Sequence, residues 1–155
     1  MRELLAVSVL AVLPMVTYGM PPQASKSPKD IQVRYDKFKD VTTVSTMMGV
    51  GAGRHLSILT VAAMREGQGT VSPPRFYLSF SDIDDSDAKL ILLIDGVRST
   101  LTPASGTAIF PTDIEQLAKI GAANSVEGQI GSVEFALTSA QRAQMKRFVE
   151  YFHDK

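Results

Sequence analysis

The pair Asp95-Gly96 constrains this chain more than any other feature. It separates two strand-like runs, Lys89 to Ile94 (KLILLI) and Val97 to Leu101 (VRSTL). A two-residue link of this kind needs positive φ at both central positions, which Asp-Gly supplies at little cost. The two runs are therefore expected to fold back on each other as an antiparallel hairpin. A second hairpin is expected at Gly131-Ser132. Val126 and Ile130 occupy even positions, Val133, Phe135 and Leu137 occupy odd ones, and the parity switches at the Gly-Ser pair. A type II′ turn there keeps all five side chains on one face.

Further strand patterns surround these hairpins. Arg75 to Ser81 (RFYLSFS) alternates, with Phe76, Leu78 and Phe80 on one side and Tyr77 on the other. Val41 to Met48 (VTTVSTMM) is rich in β-branched residues. Leu56 to Met64 (LSILTVAAM) is apolar at odd and even positions alike, which predicts a central strand covered on both faces. Two segments have helical period instead. Thr112 and Glu115 form a capping box ahead of Leu117, Ala118 and Gly121, predicting a short helix over about 112–122. Thr138 and Gln141 form another, and Met145, Phe148, Val149 and Phe152 then make one apolar stripe, predicting an amphipathic helix over about 139–153. Six or more short strands and two helices give a mainly β chain, expected as an antiparallel β-sandwich-like domain over 31–155. Its terminal helix would cover one sheet face or an open end. An α+β sheet with both helices on one face is the alternative.

The N-terminus reads as a targeting segment. Arg2 precedes an apolar run from Leu4 to Val16, which is 13 residues long and too short for a spanning helix of about 20. Thr17 and Gly19 are small residues at −3 and −1 from a cut before Met20. Residues 1–19 are expected to be a Sec-type signal peptide, and 20–30 (MPPQASKSPKD) a flexible leader. There is no cysteine to carry a lipid or a disulfide, so the exported form is expected to be periplasmic or secreted, without stable membrane insertion once the signal is removed. Lys+Arg and Asp+Glu both number 16, and removing Arg2 and Glu3 keeps the balance at zero. That balance gives no electrostatic reason to expect nucleic acid as a partner.

The chemistry-bearing clusters are few. Ser81 to Asp87 (SDIDDSD) concentrates carboxylates suited to a hard cation, yet the EF-hand frame fails, because position 6 falls on Asp87 and position 12 on Leu93. A solvated acidic turn between two strands is the simpler expectation. Gly49 to Arg54 (GVGAGR) superficially suits a phosphate, but a strand follows it, so no helix N-terminus would face an anion. The two histidines, His55 and His153, accompany neither a GxSxG nor an HExxH motif. No catalytic, cofactor-binding or metal-ligating residue is assigned from the sequence, and no cofactor is expected. The aromatic residues Phe76, Phe80, Phe135, Phe148 and Phe152 all fall on expected core faces, and Tyr77 faces outward.

Three stretches carry a resemblance: Tyr35 to Val44 (YDKFKDVTTV), Leu92 to Gly96 (LLIDG) and Val126 to Leu137 (VEGQIGSVEFAL) with the helix after it. In order and spacing they resemble a group of exported bacterial proteins, without an assigned activity, that carry a signal peptide and one β-rich domain. The resemblance implies export and a single domain. It implies no catalytic residue. The expected function is a non-catalytic binding or assembly module of the envelope, with an unknown protein as partner. A small-molecule or divalent-metal binder and a carboxylate-based hydrolase are the alternatives.

Overall fold

The computed structural model of the chain describes residues 29–51, 57–68, 73–83 and 87–153. The expected signal peptide, Arg54, His55 and the middle of the acidic run (84–86) lie outside the described residues, as does the leader up to residue 28.

Along the chain come β1 (Gln32–Asp36), β2 (Val41–Val50), β3 (Ser57–Glu66), β4 (Arg75–Phe80), β5 (Leu90–Ile94), β6 (Val97–Leu101), β7 (Ile109–Thr112), α1 (Ile114–Ala122), β8 (Val126–Ile130), β9 (Val133–Ala136) and α2 (Ser139–His153). Two antiparallel sheets result, a five-stranded one ordered β1-β2-β3-β4-β7 and a four-stranded one ordered β6-β5-β8-β9. The chain is β-rich, with one short and one C-terminal helix, as its patterning requires.

The two turns form where turn chemistry places them. Asp95 takes φ 49° and Gly96 φ 79°, and Ile94 pairs with Val97 across them. Gly131 takes φ 57°, and Ile130 pairs with Val133. The Asp95 carboxylate then does more than turn the chain. Its Oδ1 accepts from the backbone N–H groups of Asn124 (2.8 Å) and Ser125 (2.9 Å), and its own N–H donates to Ser125 O. One side chain thus fixes the β5–β6 turn to the segment leaving α1 and satisfies donors there.

Both helices have defined starts. Thr138 Oγ1 accepts from Gln141 N at 3.2 Å, and Gln141 Oε1 accepts from Thr138 N at 2.7 Å, a complete capping box. For α1 the cap lies one residue later than the pattern predicts. Thr112 is the last residue of β7, and its Oγ1 is buried without a hydrogen-bond partner among the described residues. It cannot reach the helix, and Asp113 caps instead, accepting from Gln116 N at 2.7 Å.

The inner faces of both sheets and both helices close one core. Phe110 and Phe148 are fully buried in it, with Leu78, Leu90, Leu117, Ile130 and Met145. β4 shows how the core is divided. At one end Phe76 packs edge-on against Phe152 of α2, with ring centroids 5.2 Å apart. At the other end Phe80 meets Phe110 of its own sheet and Phe135 of the four-stranded sheet, at 6.0 and 5.4 Å. Helix α2 therefore covers one part of the large inner face and the small sheet covers the other. Polar ties hold α2 in place: Gln144 Nε2 donates to Thr46 Oγ1 (2.7 Å) and Met47 O (3.0 Å), and Gln141 donates to Gly49 O. Asp30, at the end of the expected leader, is held as well, by Arg147 through its carboxylate and by Thr46 Oγ1 through its carbonyl.

Glycine at 128 is dictated by a close approach. It pairs with Phe135, and a Cβ built on it would lie 2.1 Å from that ring's Cζ. The ring lies over the bare backbone of β8, so no other residue fits without displacing it.

One expectation fails. β3 is central, but it is covered on one face only. Ser57, Leu59, Val61 and Ala63 are buried, whereas Ile58 and Met64 are 47% and 44% exposed. The apolar residues that suggested double coverage face outward.

Candidate binding surfaces

Because both helices pack inward, the outward faces of the sheets are exposed. On the four-stranded sheet the register builds two rows. Arg98, Leu93, Glu127 and Ala136 lie side by side, and next to them Thr100, Ile91, Gln129 and Glu134. β5 fills the core with Leu90 and Leu92, so Ile91 and Leu93 project the other way. They form the apolar middle of an open depression of about 590 Å³, bordered by Arg98, Glu127, Gln129 and Glu134. Leu93 stands directly between a guanidinium and a carboxylate. The depression offers an apolar centre within a rim of both signs, the layout of a protein-contact patch. Glu127 and Glu134 share this face, and both are exposed.

A second concavity, of about 620 Å³, lies between α1 and the β5–β6 hairpin. Ile94, Val97, Ala122 and Ala123 give it apolar walls, and Lys119 and Arg98 stand at its border. Gln116 Nε2 donates to Ser99 Oγ at 3.1 Å across it. Val97 is on the inner face by register yet 71% exposed, so the cleft opens to solvent at this point.

The five-stranded sheet presents a different surface. Met47, Thr60, Ser79 and Ile109 form one row, Gln32, Ser45, Ala62, Tyr77 and Pro111 the next, and Arg34, Thr43, Met64 and Arg75 a third. Tyr77 faces outward as its alternation predicts. The charges collect at one end of this face, and its middle has none.

The β1–β2 turn rises beside that charged end. Asp36 Oδ1 accepts from Phe38 N (3.0 Å) and Lys39 N (3.3 Å), which holds Phe38 at the tip, 89% exposed. Tyr35 donates its phenol proton to Asp40 Oδ1 at 2.7 Å. That bond, partial desolvation and the charges of Asp40 and Asp36 push the phenol above its ordinary value of 10.

Of the acidic run weighed for metal chemistry, Asp82 and Asp87 are described, and Asp84 and Asp85 lie outside the described residues. Asp82 has φ 56°, and its carboxylate accepts from Ser81 Oγ at 2.8 Å. Among the described residues no three His, Asp or Glu side chains converge in a way that could hold an ion. Nor, among them, is any helix long and apolar enough to cross a membrane.

Sequence reasoning passed over Arg98, Ile91, Leu93, Glu127 and Glu134. The available signal was the parity of β5: its even positions suffice for the core, so apolar residues at 91 and 93 require another explanation. No family model, curated protein or solved structure matches the chain.

Proposed function

We propose that this protein is an exported, non-catalytic binding module of a bacterial cell envelope, and that the depression around Leu93 receives a segment of a partner protein. The observation that carries the reading is the placement of Leu93 and Ile91 between Arg98 on one side and Glu127 and Gln129 on the other, with Glu134 beyond them in the same depression. An apolar centre gives affinity, and fixed charges at its border select the partner and its orientation. Export rests on the apolar run Leu4 to Val16 and the small residues Thr17 and Gly19. The test is site-specific photo-crosslinking in intact cells. A photoreactive residue at Leu93 should trap one reproducible species, and Arg98→Glu should abolish it. A reactive group at Leu93 that captures nothing, or captures the same species as one placed at Lys146, sinks the proposal.

The α1–β6 cleft favours a second reading, a site for a small amphipathic anion, with apolar walls for its tail and Lys119 and Arg98 for its charge. Thermal-shift screening with medium-chain carboxylates is the check. A melting point that stays in place with the native protein, or that rises equally in Lys119→Glu, removes this reading.

A further inference from the structure

We infer that the free edge of β6 takes up an extended segment of the partner protein, alternating in acidic and apolar residues, as an added strand of the small sheet. The inference rests on the reading of this protein as a partner-binding module and adds the conformation and composition of what it binds. Its first support is the direction of the main chain. Asp95, next after β5, donates its N–H to Ser125 O, so the odd-numbered residues of β5 turn their N–H and C=O groups toward β8. The even-numbered ones, Leu90, Leu92 and Ile94, exchange theirs with Leu101, Ser99 and Val97. Arg98 and Thr100 therefore direct their N–H and C=O groups away from β5. There β6 ends its sheet, with no strand to meet them. β7, at an edge of the other sheet, contains Pro111, which withholds a donor, whereas β6 (VRSTL) contains no proline.

The second support is a gap in the apolar packing. Val97 pairs with Ile94 on the inner face, yet it is 71% exposed. Beside it opens the cleft of about 620 Å³ that Ile94, Ala122 and Ala123 wall. A strand laid about 4.8 Å beyond β6 sends every second side chain over Val97 into this cleft, where apolar residues fit. The third support is charge. The intervening side chains of such a strand face outward beside Arg98, which borders both the cleft and the Leu93 depression. Lys119 stands at the cleft border too, and among the described residues neither cation has an ion-pair partner. The cleft's own carboxylate, Asp95, already accepts two backbone N–H groups. An acid from outside is what these cations fit, and the pleat makes it alternate with the apolar residues.

Fluorescence polarisation on the full chain tests this, with a labelled peptide of about nine residues alternating valine and glutamate, and its valine–lysine counterpart. The glutamate peptide should bind about tenfold tighter than the lysine one, and Arg98→Glu should reverse that order. Thr100→Pro should weaken binding about tenfold, because it removes a donor at the free edge and leaves the bonds to β5 in place. Val97→Glu, at an exposed position that tolerates the change, should weaken the glutamate peptide as much while the melting temperature stays within about 2 °C. Hydrogen exchange at the Arg98 and Thr100 amides should slow about tenfold in the bound state. Amides that exchange unchanged under saturating peptide overturn the inference, as does a peptide that fails to bind at about 1 mM or keeps its preference in Arg98→Glu. Binding that perturbs Lys119 and neither amide assigns the cleft to a small anion and overturns it too. A crosslink at Leu93 in cells with no peptide on β6 refutes the added strand and leaves the module reading. Peptide pairing on β6 with no crosslink at Leu93 keeps the added strand and refutes the depression as the partner's seat.

Discussion

From the solvent side, the five-stranded sheet offers Thr60, Ser79, Ala62 and Tyr77 with no charge among them, whereas the four-stranded sheet places Leu93 between Arg98 and Glu127. Both sheets bury the opposite face in the same core, so core packing does not account for the difference. It is a difference in what each surface can exclude. Fixed charges beside an apolar side chain reject most partners, because a mismatched partner leaves a desolvated charge unpaired. An uncharged face rejects few partners on electrostatic grounds and depends on shape to discriminate among them.

The sharpest way to break the comparison is to remove a shared support. Phe110→Ala, at a fully buried ring in β7, should cost about 3–5 kcal/mol and unfold both sheets in one transition, read by urea denaturation. Two separate transitions would mean that the sheets are independent. Gly128→Ala aims at the small sheet alone. With a Cβ driven into the Phe135 ring, stability should fall by about 1–3 kcal/mol, and Phe135→Leu in the same chain should return part of it.

Asp95→Ala removes the acceptor of two N–H groups and puts alanine at positive φ, for an expected loss of about 1–3 kcal/mol. Asp95→Asn should lose less, because asparagine tolerates the turn and keeps one oxygen. The crosslink at Leu93 should weaken with Asp95→Ala, since β5 and β6 are joined at this turn.

The smallest effect belongs to the large sheet. The Tyr35 phenol should ionise above its ordinary value, and Asp40→Asn should lower it, followed at 295 nm against Tyr35→Phe. A raised folded-state value means that the stability contributed by this bond is fully present below about pH 10 and is lost as pH rises through the folded value. An unmoved midpoint in Asp40→Asn would show that the bond does not form in solution.

Local chemistry made much of this fold legible. Asp95-Gly96 and Gly131-Ser132 carry their own turn geometry, Phe76, Leu78 and Phe80 carry their own period, and Thr138 with Gln141 caps α2 without outside help. The chain read less clearly where a partner strand decides. β1 (QVRYD) is polar and mostly exposed, and it is a strand because β2 offers an edge. β7 (IFPT) contains a proline that only an edge position tolerates. The same limit concealed the candidate surfaces. Arg98 and Glu127 are far apart in sequence and become neighbours only across β5. The apolar residues of β3 pointed to burial when they marked the uncharged outer face.

The order in which the chain visits its sheets has a consequence for how the molecule comes into being. Four strands belong to the first sheet, two to the second, one returns to the first, and the last two complete the second. No single cut yields two self-sufficient pieces. A fragment ending before Ile109 lacks Phe110, and every fragment ending before Ser139 lacks Phe148. The larger sheet lacks its last strand until Thr112, the smaller one until Ala136, and α2 closes the shared core last, so stable structure should arrive late, at a pace set by contacts between distant segments.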